Sequence, residues 1–216
     1  MARNPYGERC LVSLAVLALL GGCTSGSSAA PAVSPTRSDA PTPTMGETSP
    51  GRTPAITITF QEFHDSFCSA WESMFRAIGN PDTGSGSELT AAMDAAITAG
   101  DLPSVDRVAA QISGELESGR RQVERATGWP PATPMMAQLD LVFVGFEALT
   151  EAKRAAANQG LQVARTRGQQ ALVDAGAIDA WFALIRPGVL DETRRAMESA
   201  TPPGAPAQCA NVPVGF

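Results

Sequence analysis

Side chains able to do chemistry are few in this chain, and their spacing limits what they can do. There is one histidine, His64, and there are four cysteines, Cys10, Cys23, Cys68 and Cys209. Any Ser-His-Asp or Cys-His machinery would have to be built around His64, because the imidazole is the base that takes the nucleophile's proton. No Gly-x-Ser-x-Gly turn accompanies it. Phe60, Phe67 and Cys68 stand at helical offsets from His64. The residue therefore reads as a partly buried structural imidazole, with axial ligation of a haem as the sharper alternative. The acid pairs Glu115/Glu117 and Asp191/Glu192 read as solvated helix faces, not as a general acid and base. A metal site of two cysteines and His64 needs free thiolates, which an oxidising compartment removes. Met135 and Met136 with Phe143 and Phe146 read as core, or as the lining of an apolar ligand site. The expectation is no catalytic residue, no resident metal and no cofactor.

Two strings in one loop look chemical and fail on context. Asp82-Thr83-Gly84-Ser85 has the spelling of an aspartic-protease active site, but that chemistry needs a buried strand end and a second carboxylate. Here it follows Asn80-Pro81 between two helical patterns. Read as a calcium loop from Asp82, the stretch puts Gly84, Gly86 and Met93 where oxygen ligands belong.

The N-terminus carries stronger information. Arg3 and Arg9 stand against the single acid Glu8, a small and apolar run fills 11–20, and Gly21, Gly22 and Cys23 follow. That is the charged, apolar and small-residue order of an export signal. Ten residues make roughly 15 Å of helix, about half of the hydrocarbon core of a bilayer, so a permanent span is disfavoured. Leu20-Gly21-Gly22-Cys23 resembles the lipobox of bacterial lipoproteins. The resemblance covers about a tenth of the chain. It implies cleavage before Cys23, acylation of the Cys23 side chain, and an extracytoplasmic location on a cell membrane. One acyl chain holds only marginally, so stable anchoring needs the two or three that such lipoproteins carry. Cys23 is then an anchor and not a nucleophile.

The resemblance also settles the cysteine arithmetic. Cys10 leaves with the signal and Cys23 is acylated, so Cys68 and Cys209 remain, and two thiols in an exported domain imply one disulfide. A free buried Cys68 or an intermolecular bridge is the alternative.

Residues 1–22 are thus the signal, 23–55 the lipidated cysteine and a linker, and 56–216 the domain with its C-terminal tail. The linker is rich in Pro, Ser, Thr, Ala and Gly, with Val33 and Met45 its only larger apolar side chains. Such a stretch buries too little surface to offset its conformational entropy, and the expectation is disorder. As a coil it spans on the order of 30 Å.

The domain is expected to be all-α, an antiparallel bundle of about four main helices with short capping helices. Phe60, Phe63, Phe67, Trp71, Met74, Phe75 and Ile78 recur at three- and four-residue steps, and Thr59 with Glu62 fits a capping box stapled by Ile58 and Phe63. Ser87 caps a short helix with Leu89, Ala92, Met93, Ala96 and Ile97 inward, closed by Gly100. A third helix has Pro103 in its first turn and turns Val105, Val108, Ala109, Ile112 and Leu116 to the core. Thr133 reads as the cap of a fourth, with Pro134 in its first turn and Met136, Leu139, Val142, Phe143, Phe146 and Leu149 inside. Weaker helices are expected over 161–173, around Trp181, and over 189–199.

The whole chain has net charge −6, and loss of Arg3, Arg9 and Glu8 makes it −7. That argues against a nucleic-acid footprint. Arg120, Arg121 and Arg125, then Arg165 and Arg167, then Arg194 and Arg195 lie among acids and read as solvated ion-pair faces. Lys153 is the single lysine. The functional expectation is a membrane-anchored, non-catalytic domain presenting a face to an envelope protein or polymer. Its alternative is a carrier of a small hydrophobic ligand, lipid, haem or metabolite, in an interhelical cavity lined by Trp71, Met136, Phe143 or Phe146, and a third reading is an unrecognised hydrolase.

Overall fold

A computed structural model describes residues 57–80, 85–186, 188–202 and 209. The signal, Cys23, the linker and Asp82-Thr83-Gly84 lie outside the described residues. Seven α-helices follow one another: α1 (Phe60–Ile78), α2 (Glu88–Ala99), α3 (Leu102–Ala126), α4 (Thr133–Ala155), α5 (Leu161–Asp174), α6 (Ala177–Ile185) and α7 (Asp191–Ala200). Two residue pairs, Gly79 with Gly86 and Asn80 with Ser85, form a minimal antiparallel ladder between α1 and α2, here β1 (Gly79–Asn80) and β2 (Ser85–Gly86). The domain is an all-α bundle.

α1 starts where the sequence places it. The Thr59 hydroxyl accepts from the Glu62 N–H at 3.2 Å, and the Glu62 carboxylate accepts from the Thr59 N–H at 2.8 Å. These two bonds satisfy donors that a helix start leaves open. The bond from the Thr59 N–H, and after it one that the Thr59 hydroxyl donates to the same carboxylate at 2.8 Å, hold the Glu62 carboxyl below the usual carboxylate range. Phe63, Phe67, Trp71 and Met74 are fully buried or nearly so, while Phe60, Phe75 and Ile78 pack along the core's margin. At the other end Gly79 takes φ +91°, and a Cβ there would overlap the Ser85 carbonyl. Only glycine fits that crossing of β1 and β2.

α1 lies against α3, α3 against α4, and α4 against both α5 and α6, while α2 packs chiefly on α3. The buried stripes follow the expected period: Val105, Ala109, Ile112, Leu116 and Val123 on α3, and Met135, Met136, Leu139, Val142 and Phe143 on α4. Two local expectations fail. Ala92 faces solvent, since Met93, Ala96 and Ile97 suffice to fill the narrow inner face of α2. Thr133 is the first residue of α4 and not its cap. A 3-10 turn, Pro130–Ala132, runs directly into the helix and leaves Ala132 in the cap position with no side-chain bond. Prolines at 130 and 131 preset φ for that turn and carry no N–H to satisfy, so no capping hydroxyl is required.

The short last helix is tied down by hydrogen bonds. Thr193 donates its hydroxyl to the Pro131 carbonyl at 2.9 Å, and Arg194 donates to the Leu184 carbonyl at 2.7 Å. The second bond puts a cation on the open carbonyls at the end of α6.

Candidate functional site

The site worth building upward is on α1. His64 and Cys68 are one turn apart, so α1 itself puts the imidazole beside the sulfur. Cys209 reaches the same place from the far end of the chain and is disulfide-bonded to Cys68, with the two Cα atoms 5.3 Å apart at a sequence separation of 141. The imidazole Nδ1 and Nε2 are each 3.8 Å from Cys68 Sγ. Equal distances mean that the ring presents neither nitrogen in particular to the sulfur. The ligating atoms of His64, Cys68 and Cys209 all fall within 4.8 Å of one another.

Aromatic rings border this cluster. The Phe60 ring lies 6.2 Å from the His64 ring, Phe60 meets Trp129 edge-on at 5.2 Å, and Phe63 stacks on Trp129 at 4.7 Å. The line continues inward through Phe67 and Trp71 to Trp181. His64 keeps 20 % of its side chain exposed, and its Nδ1 is 3.9 Å from the Asp65 carboxylate. The cluster is thus reachable from solvent, with an apolar wall on one side and a polar tip on the other. Trp71 is wholly buried, and its indole N–H has no hydrogen-bond partner among the described residues.

The residues expected to line an interhelical cavity are packed. Trp71, Met136 and Phe143 have no exposed surface, Met135 has none either, and Phe146 is half-buried at the core's edge. Two open grooves mark the surface instead. One, of about 420 Å³, runs between the 3-10 turn and α7 over Pro130, Pro131, Pro134, Val189, Leu190 and Ala196. The other, of about 580 Å³, lies between α3 and α4 and is lined by Arg120, Arg121, Glu117, Glu124 and Asp140 among others. Its charges neutralise one another: Arg120 pairs with Asp140 at 2.9 Å and Glu147 at 3.4 Å, and Arg121 with Glu117 at 2.8 Å. The bond to Asp140 is the main cause that raises the Arg120 pKa.

Arg120, Arg121, Arg165 and Arg194 of the basic clusters are thus ion-paired, and several ion pairs cross between helices. Arg76 joins α1 to α3 through Glu115, and Arg154 joins α4 to α3 through Asp106. Arg165 on α5 holds Asp94 on α2 at 2.7 Å, and Lys153 on α4 takes the same carboxylate. Sequence reasoning missed this last cluster. Its only signal was that Lys153 is a solitary lysine. Asp191, Glu192 and Glu117 are exposed, and Glu115, Glu117 and Asp191 are ion-paired with Arg76, Arg121 and Arg194. Ser85, the described member of the Asp-Thr-Gly-Ser string, is exposed in β2. Among the described residues no helix is long and apolar enough to cross a membrane. Comparison with protein-family models, with curated proteins and with solved structures finds no match to this chain.

Proposed function

We propose that this protein is a lipoprotein held on the extracytoplasmic face of a cell membrane by acylated Cys23, and that its helical domain carries a small ligand. One observation carries the ligand reading: His64, Cys68 and Cys209 converge within 4.8 Å beside the rings of Phe60, Phe63 and Trp129. Flat apolar walls with one polar tip are what a hydrophobic ligand with a single coordinating or hydrogen-bonding centre needs. Haem and an apolar metabolite both fit that description. The seat is at the edge of the bundle and not inside it, since Trp71, Met136 and Phe143 are closed in the core.

The test is quenching of tryptophan emission as the acylated chain, purified in detergent, is titrated with haem and separately with palmitate. Saturable quenching is expected for at least one, and His64→Ala should weaken a coordinated ligand about tenfold or more, the equivalent of roughly 1.4 kcal/mol. Quenching that never saturates with either probe would sink the carrier reading. A second reading, a docking module for an envelope protein, has the groove at Val189 and Leu190 in its favour, where Val189 stands 49 % exposed beside three prolines.

A further inference from the structure

His64 and Cys68 face one another across a helical turn, and Cys209 completes a triangle of donor atoms within 4.8 Å. The 3.8 Å between Cys68 Sγ and either ring nitrogen is close to the roughly 3.5 Å that separates a sulfur and a nitrogen on one tetrahedral zinc, given bonds of about 2.3 and 2.0 Å. While the two sulfurs are bonded to each other they hold no ion. We propose that two-electron reduction of the Cys68–Cys209 disulfide converts this staple into a three-ligand site, two thiolates and one imidazole, for a thiophilic cation of the Zn²⁺ or Cu⁺ class. The proposal rests on the reading of the His64 edge as a ligand seat, but it concerns another ligand and another redox state.

The reductant is an exported dithiol protein. One of its thiolates attacks Cys68 Sγ, the less buried of the two sulfur-bearing residues, forming a mixed disulfide and releasing Cys209 as a thiolate that takes up a proton. Its second thiol then displaces Cys68, so the partner ends as a disulfide and Cys68 and Cys209 end as two thiols. Metal uptake releases both protons and leaves neutral His64 to offer a nitrogen lone pair. The partly exposed imidazole has only to turn so that one nitrogen faces the ion. Two thiolates and an imidazole select soft cations over Mg²⁺ or Ca²⁺. Three protein ligands also leave the fourth tetrahedral position open, as in sites that exchange or pass on what they bind. The ion then takes over from the covalent bond as the link between Cys209 and α1.

The experiment uses the acylated chain in detergent, where Cys23 offers no thiol. It is reduced with a phosphine, which does not compete as a thiol, and titrated with Co²⁺ as the spectroscopic stand-in for Zn²⁺. Thiolate-to-cobalt absorption should saturate at one equivalent in the reduced chain, be absent from the oxidised chain, and disappear when Zn²⁺ is added. His64→Asn leaves the disulfide intact and should weaken binding by no less than the roughly 10–100-fold that loss of an outer-shell partner costs. Reduced protein that binds no more Co²⁺ than Cys68→Ser overturns the proposal. If reduction lowers helicity, recovery of the circular dichroism with one equivalent of Zn²⁺ supports it, and no recovery together with no cobalt band overturns it. The haem and palmitate titrations use the oxidised chain. Saturable quenching there without a cobalt band would sink the metal site alone, and a cobalt band without quenching would sink the carrier alone.

Discussion

Lys153 shows what a single side chain does in this fold. Its residue is 8 % exposed, and its ammonium sits on Asp94, whose other oxygen takes Arg165 at 2.7 Å. A charge so far from water persists only with a partner, since the alternative is a desolvated ion. Lys153→Met removes that partner while keeping most of the stem's volume, and leaves Asp94 to the half-exposed Arg165 alone. Because Arg165 remains, the loss should lie near about 1–3 kcal/mol and short of the larger cost of an uncompensated buried ion. Urea denaturation of Lys153→Met, Asp94→Leu and the double variant closes the cycle. The double variant should recover part of the loss. Simple addition of the two single effects would mean that the pair contributes nothing. No local pattern discloses this contact, since Asp94 and Arg165 lie 71 residues apart and meet only once α2 and α5 are both packed on their neighbours.

At the scale of the element, the bundle depends on how closely α3 can approach α4. Gly119 on α3 faces the Phe143 ring, and a Cβ there would sit 2.5 Å from Cζ and 3.3 Å from Cβ of Ser73 on α1. Phe143 is fully buried and has nowhere to retreat. Gly119→Ala should therefore destabilise by about 1–3 kcal/mol through overpacking. Gly114, five residues earlier on the same helix, meets nothing within 4 Å, so Gly114→Ala should stabilise by about 0.5–1 kcal/mol. Thermal melts of the two variants should move in opposite directions, and a shared direction would rule out the packing argument. Helix existence was legible in the sequence because the stripes of α1, α3 and α4 are long and regular, and the Thr59–Glu62 box marks its own boundary. Contacts such as Gly119 with Phe143 were not, because in sequence Gly119 reads as a weak point in a helix and only the neighbouring helix gives it a purpose. Thr133 failed for a related reason: a hydroxyl before proline is the usual cap, and the 3-10 turn that replaces it is set by Pro130 and Pro131 upstream. The candidate site was half legible. The spacing of His64 and Cys68 puts them on one face, but the return of Cys209 followed only from removing Cys10 and Cys23 from the count.

For the whole molecule the proposed lipid anchor has to be weighed against attachment through the bundle itself, in which no described helix is long and apolar enough to cross a membrane. The described surface argues against the bundle doing this by itself. Its large exposed apolar side chains, Leu102, Leu141, Val163, Val173 and Val189, are scattered over three helices and one connection, and the chain is acidic, which repels anionic headgroups. On the proposed reading attachment comes from Cys23, where each buried acyl methylene contributes about 0.8 kcal/mol and two or three chains give a stable hold. Cys23→Ala removes the acceptor for that chemistry and leaves every described contact of the helices untouched. The variant should appear in the soluble fraction or remain as an unprocessed precursor, with the Cys68–Cys209 bond of the exported domain still detectable by non-reducing mass mapping. High-salt and carbonate washes of membranes separate the explanations. Wild-type protein should resist both and be released only by detergent. A processed Cys23→Ala form that resists them equally would place the attachment in the domain, and the lipid anchor would have to be abandoned.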